Sequence, residues 1–224
     1  KVTKGKDYAT LHNLTYLKKL QLEEMTLNSK DIADAISAQV PTSRAKNTQF
    51  HIFRPNISGE EHYAIEIGKI DRDKATLVRI HSACFTGDVL GSLKCDCGPQ
   101  LHAATRMIND QGGGLLIYLN QEGRGIGLAN KIRAYALQDQ GFDTVDANHR
   151  LGFEDDERDF QLAATILSEM RISNIKLITN NPSKISTMGK YNITVTERIP
   201  LRVGQNETNL KYLQTKVSKS GHLI

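Results

Sequence analysis

Residues 75–120, ATLVRIHSACFTGDVLGSLKCDCGPQLHAATRMINDQGGGLLIYLN, hold a strand pattern, a loop, a helix pattern and a second strand in one run. ATLVRIH is apolar and leads directly into the loop. LHAATRMINDQ fits a helix ended by Gly112–Gly114, and LLIYLN is a short apolar strand. The alternation continues on both sides. QFHIFRP and HYAIEIGKI precede it as strands with partial period-two patterning. LANKIRAYALQDQ follows as a helix stopped by Gly141, and DFQLAATILSEM as a second amphipathic helix. NIKLIT and NITVTERIPL close the pattern as strands. Such alternation predicts a mixed α/β, three-layer domain. The loops after the strands carry nearly every unusual residue, as expected when function sits on loops over a scaffold.

Residues 1–38 differ from the rest. They are polar, with helical-looking pieces LHNLTYLKKLQLEEM and SKDIADAISAQV, the second capped by NSKD around Ser29. With Pro41 as the boundary, residues 1–40 are expected to be an N-terminal extension or linker, a remnant of an adjoining domain. Residues 41–224 are expected to form the functional domain. Lys1 stands where an initiator Met would, which suggests a trimmed chain or part of a longer product.

The loop holds the chain's three cysteines, Cys84, Cys95 and Cys97, within the fourteen residues CFTGDVLGSLKCDC. A disulfide leaves one of three unpaired, and Cys95 and Cys97 are poorly placed to bond each other across one residue. Three soft ligands suit zinc. A structural zinc site closes with four protein ligands, whereas a catalytic site keeps three and leaves the fourth position open. Two other readings stand beside this one: three unrelated buried cysteines, and a structural zinc knuckle with His81 or His102 as fourth ligand.

The 224 residues are 39% hydrophobic and 24% charged, ordinary for a soluble globular protein. No run approaches a membrane span and the first residues lack the apolar core of a secretory signal, so a cytosolic protein with reduced thiols is expected. The net charge of +4 is a mild excess. Dispersed basic residues, few aromatics and no Trp disfavour a nucleic-acid surface; a pocket for a polyanion fits better.

Three further motifs follow strands. Gln121–Gly127, QEGRGIG, gives close backbone approach, and its Arg124 suits phosphate or carboxylate. It lacks the glycine spacing of a dinucleotide fingerprint. ANHRLGFEDDERDF, residues 147–160, surrounds Arg158 with acids; it reads either as a solvated acidic helix start or as a general base beside an arginine. TNNPSK, Thr179 to Lys184, puts Pro182 in a first helical turn and makes an anion site of free amides and Lys184. Together with an open metal site, these motifs point to hydrolysis of a phosphorylated substrate, with nucleotides the obvious class.

RIHSACFTGDVLGSLKCDCGPQL, NQEGRGIGLANKIRAYALQDQGFDTVDANHRLGF, DDERDF and TNNPSK, in that order and spacing, resemble GTP cyclohydrolase II of riboflavin biosynthesis over more than four-fifths of the chain. The resemblance implies hydrolysis of GTP to 2,5-diamino-6-ribosylamino-4(3H)-pyrimidinone 5′-phosphate, formate and pyrophosphate. It implies zinc on Cys84, Cys95 and Cys97, one ion per chain, with water at zinc attacking C8. It implies Asp156 as proton acceptor, Arg158 as nucleophile or electrostatic stabiliser at the α-phosphorus, and Tyr135 beside the metal. The segment Arg79, Ile80, His81, Ser82 and Ala83 falls on GTP-binding positions, as do Gln100, Glu122, Gly123, Arg124, Thr144, Thr179 and Lys184. Gln100 and Glu122 are candidates for reading guanine. Magnesium with the triphosphate and a homodimer are also implied. Ala83 departs from the family's usual Glu and Lys94 from its usual Arg. A second expectation is therefore a family member that binds nucleotide with altered or reduced turnover.

Overall fold

The structure is a computed structural model and describes residues 32–55, 60–219 and 221–223. Its centre is the pair of strands read first from the sequence. β4 (Thr76–Ser82) runs parallel to β5 (Gly113–Leu119), with Val78 opposite Leu115 and Ile80 opposite Ile117. Both strands are buried along almost their whole length because helices cover both faces. Gly114 is needed for this closeness: a Cβ there would lie 2.3 Å from the Leu77 carbonyl oxygen.

The full sheet has seven strands in the order β1-β2-β3-β5-β4-β6-β7. β1 (Ile32–Gln39), β2 (Thr48–Pro55) and β3 (His62–Gly68) pair antiparallel, and β3 continues antiparallel onto β5. β6 (Asn174–Ile178) and β7 (Thr194–Ile199) extend the parallel half beyond β4.

Side chains alternate across a strand, so β4 and β5 feed two cores. On one face Val78, Ile80, Leu115 and Ile117 meet Leu162, Ala163, Ile166 and Leu167 of the helix Gln161–Glu169. On the other, Leu77 and Leu116 meet Ala104 and Ile108 of the helix Cys97–Asp110. The result is the expected helix–sheet–helix arrangement. Truncating a central residue such as Ile117, which has no exposure, should cost about 2–5 kcal/mol.

We number the helices α1 (Phe85–Asp88), α2 (Cys97–Asp110), α3 (Gly127–Gln138), α4 (Thr144–Arg150), α5 (Gln161–Glu169), α6 (Pro182–Lys190) and α7 (Leu210–Ser218). Pro182 opens α6 behind its cap Asn181, as the sequence indicates.

Two local readings change. SKDIADAISAQV reads as a helix, yet Ile32–Gln39 is an edge strand, Ile36 facing Ile52 and Gln39 facing Gln49. Eight residues make too short a helix to be stable alone, and pairing with the open edge of β2 prevails. The sheet therefore begins ahead of Pro41. The stretch LHNLTYLKKLQLEEM and Ser29 lie outside the described residues. The second change concerns residues 151–160, which form an irregular loop rather than an acidic helix start; α5 begins only at Gln161. Among the described residues no helix is long and apolar enough to cross a membrane.

Candidate active site

Strands β4, β5 and β6 end at Ser82, Leu119 and Ile178, and the chain leaves each of them into one cleft. Ligand sites on parallel sheets gather at these carboxyl ends. The cleft holds roughly 1050 Å³, its open mouth included.

One wall is sulfur. Cys84 follows β4, Cys95 lies in the loop, and Cys97 is the first residue of α2, where the helix dipole favours a thiolate. The three Sγ atoms lie within 4.8 Å of one another, with Cys84 and Cys95 3.7 Å apart, and all three thiols are free. Tetrahedral zinc with Zn–S bonds of about 2.3 Å separates its sulfurs by about 3.8 Å, so the cluster has the dimensions of such a site. No histidine, carboxylate or further cysteine joins the group among the described residues. His81 Nε2 instead faces the Asp88 carboxylate at 3.1 Å, which removes it as the fourth ligand of a knuckle, and His102 is not in the group.

Three residues hold this wall in shape. Asp88, at the end of α1, accepts the Cys84 N–H at 3.0 Å and the Tyr118 hydroxyl at 2.9 Å. Gly87 leaves room for the sulfurs: a Cβ there would sit 2.7 Å from Cys95 Sγ and 3.0 Å from Cys84 Sγ. Lys131 of α3 donates to Cys84 Sγ at 3.1 Å and to Glu122 Oε1 at 2.8 Å. Hydrogen bonding from Cys95 and Cys97, with Lys131 adding its charge, holds the Cys84 thiol far below the ordinary thiol range. The same sharing pushes Cys95 up to about 11 and Cys97 well above the ordinary value. A dication would offset the charge that makes the second and third ionisations costly.

The opposite wall is cationic. Arg79 is buried; it donates to the Ile178 carbonyl at 3.0 Å and to Gln100 Oε1 at 2.6 Å, and burial pushes its guanidinium down to about 10. Gln100 passes the chain on to Asp96 at 2.5 Å, and Asp96 receives Lys216 of α7 at 2.7 Å. Arg158 grips Asp156 with a two-bond fork of 2.7 and 2.6 Å. Burial opposes both charges, but the fork outweighs it, so Asp156 sits below the usual carboxylate range and Arg158 above its own. Lys184 is buried and donates to the Ile80 carbonyl at 2.6 Å. Burial, then repulsion from Arg79 and Arg158, pushes its ammonium well down. Arg158 and Lys184 share the Phe160 ring, 5.0 and 5.1 Å from its centre. Arg124 has a left-handed φ of 62°, fixed by the Glu157 N–H donating to its carbonyl at 3.0 Å.

Every site residue expected from the sequence lines this cleft except Ile80 and Asp156. Ile80 is fully buried in the core on the α5 side, because strand alternation turns it away from Arg79 and His81; only its carbonyl takes part, by holding Lys184. Asp156 reaches the cleft through Arg158. Gln100 and Glu122 already hold protein partners. Glu122 accepts from Lys131, from the Phe85 N–H at 2.5 Å and from the Gly123 N–H at 2.9 Å. Lys94 donates to Asp139 at 2.6 Å and lies over the Tyr135 ring. The sequence reading missed Asp88, Asp96, Lys131, Tyr212, Lys216 and His222. Lys131 carried a signal, since it precedes Tyr135 by one helical turn. Lys216 carried none, because its partner lies 120 residues away.

A thiolate cluster of metal-site dimensions facing a cationic wall, across the carboxyl ends of a parallel half-sheet, defines an α/β enzyme with places for a metal and an anion. The GTP cyclohydrolase II family profile matches residues 33–200. A relative named GTP cyclohydrolase-2 from Histophilus somni (strain 2336) is 54% identical over 183 residues, covering 79% of this chain and 84% of the relative. A riboflavin biosynthesis protein RibBA from Cytophaga hutchinsonii is 44% identical over 220 residues, and there the match takes in 98% of this chain but 54% of the relative. A solved structure of RibBX, a two-domain 3,4-dihydroxy-2-butanone 4-phosphate synthase from A. baumannii, matches with a TM-score of 0.44 at 17% identity, over 88% of this chain and 48% of that one. That likeness adds nothing to the fold described above. The chain belongs to the GTP cyclohydrolase II family.

Proposed function

We propose that the chain catalyses the zinc-dependent hydrolysis of GTP to 2,5-diamino-6-ribosylamino-4(3H)-pyrimidinone 5′-phosphate, formate and pyrophosphate, the first step of riboflavin biosynthesis. The observation that carries this reading is a three-sulfur cluster without a fourth protein ligand among the described residues, facing Arg124, Arg158 and Lys184 across one cleft. Cys84, Cys95 and Cys97 would hold zinc, which when bound would supply a Lewis acid and a means of ionising water near neutral pH.

The chain's own residues do the rest. Glu122 retains one free lone-pair position, and Gln100 retains one amide hydrogen and one lone pair, enough to read the guanine edge. Tyr135 faces the cleft, and burial raises its phenol, so it stays protonated and donates to the attacking water or to the opened ring. Arg124 and Lys184 hold phosphate oxygens, and magnesium arriving with the triphosphate would offset part of its charge. Arg158 stays protonated in the Asp156 fork, which favours electrostatic stabilisation at the α-phosphate over nucleophilic attack. When Arg158 turns to the phosphate, Asp156 is freed as proton acceptor.

The test is incubation with GTP, zinc and magnesium, following formate, pyrophosphate and product absorbance. Equal release of formate and pyrophosphate, abolished by a chelator, is expected; a zinc-loaded chain that releases no formate sinks the reading. A second reading is favoured by Ala83, which puts a methyl on the cleft beside Cys84. It is a member that binds GTP with reduced turnover, and binding without formate release marks it.

A further inference from the structure

The cleft has a wall that lies beyond the segment matched by the family profile. Tyr212, Lys216 and His222 all line it, whereas the match ends at residue 200. Two backbone bonds pin the C-terminal tail in place: the His222 N–H donates to the Lys216 carbonyl at 3.0 Å, and the Leu223 N–H to the Asn180 carbonyl at 2.8 Å. Asn180 is itself fixed, because its side chain donates to the Leu201 carbonyl at 2.6 Å and accepts the Leu201 N–H at 3.1 Å. The tail is thus anchored to the loop after β6 that carries Thr179.

His222 lines the same cleft as cations from four separate elements. They are Lys216 of α7, Arg124 of the glycine loop, Arg158 of the loop before α5, and Lys184 of α6. The carboxylates that balance this wall are already engaged, Asp96 by Lys216 and Asp156 by Arg158. Four cations therefore share the cleft with His222, and the ligand chemistry that fits is a chain of phosphates.

We propose that the C-terminal tail is part of the substrate site and that His222 contacts the polyphosphate of a nucleoside triphosphate. The proposal rests on reading this cleft as a nucleotide site. Burial first, then the four cations, hold the His222 imidazole down to about 3, so it is neutral in the empty cleft near neutral pH. A bound polyphosphate reverses the local sign. The imidazole then takes a proton from solvent and donates it in a hydrogen bond to a phosphate oxygen. Lys184 is the other group held down by burial and like charge, and the same change of sign favours its charged form. Binding should therefore draw protons from solution and tighten as pH falls.

Calorimetry of inorganic tripolyphosphate binding to the zinc-loaded protein, in two buffers of different ionisation enthalpy, reads both affinity and proton uptake. The wild type should take up protons. His222→Ala should lose part of that uptake and bind tripolyphosphate about tenfold more weakly, the loss of one charged hydrogen bond. His222→Gln, which keeps a donor without a titrating proton, should recover affinity but not uptake. A chain ending at Lys219 should behave like His222→Ala while keeping its zinc. Equal affinity and equal uptake in the wild type and His222→Ala overturn the proposal. The GTP assay separates this outcome from failure of the functional reading: tripolyphosphate binding through His222 without GTP turnover would leave the tail's role standing and remove the activity.

Discussion

The sulfur wall comes from fourteen consecutive residues, Cys84 to Cys97, whereas the cation wall draws Arg79, Arg124, Arg158, Lys184 and Lys216 from five separate segments. The two also differ in how charge is handled. On the sulfur side one thiolate is favoured and further ionisation is resisted, a cost that a dication would offset. On the other side each cation is held in place by a carbonyl, an amide or a carboxylate, and remains available to an anion. A local loop is enough to gather the sulfurs; a fold is needed to gather the cations.

The strongest test of this division is Cys95→Ser. It should lose the metal and, with it, formate release, by a factor of about 10³ or more, read by metal analysis and formate assay. If ring opening survived, the sulfur wall would not be catalytic. Arg158→Ala should do the reverse, keeping about one zinc per chain while cutting turnover by about 10²–10³. Arg158→Lys should restore only part, because an ammonium cannot reproduce the fork on Asp156. Lys131 joins the two sides, since it touches both Cys84 and Glu122. Lys131→Met should weaken zinc binding by about 10–100-fold in competition with a chelator; unchanged affinity would confine Lys131 to the substrate side.

The smallest effect belongs to the Asp156–Arg158 pair as a stabilising element. The folded Asp156 carboxyl lies below its unfolded value, so its contribution is present above about pH 4 and fades as pH falls through the lowered value. Asp156→Asn should lower the melting temperature near neutral pH by a few degrees, about 2–4 °C per kcal/mol lost. It should also flatten the fall in melting temperature as pH drops below about 4.

The same division marks what could be read from residues alone. Periodicity located β2 to β7 and the helices α2, α3 and α5, because each carries its own apolar pattern, while Pro182 marked the start of α6. It missed β1, whose Ala-rich sequence favours a helix until β2 offers an edge. The three cysteines were legible because they are neighbours in sequence. Arg124, Arg158 and Lys184 were legible through the motifs around them. Lys216 and His222 sit in unremarkable sequence and become part of the cleft only through α7 and the tail that follows it. Ile80 shows the opposite error: its place in a motif suggested contact with substrate, and the pleat of β4 turns its side chain into the core.

Gly87 gives the sulfur loop a property of a different kind. With 2.7 Å between a would-be Cβ and Cys95 Sγ, any side chain at position 87 would crowd the sulfurs. The spacing of the sulfurs thus depends on the absence of a side chain at position 87. It also divides the loop into tolerant and intolerant positions. Val89 and Leu90 are exposed, at 67% and 66%, and can drift freely under selection for the metal. Position 87 cannot, so a randomised library of this loop should return glycine there long before it returns any one residue at 89 or 90.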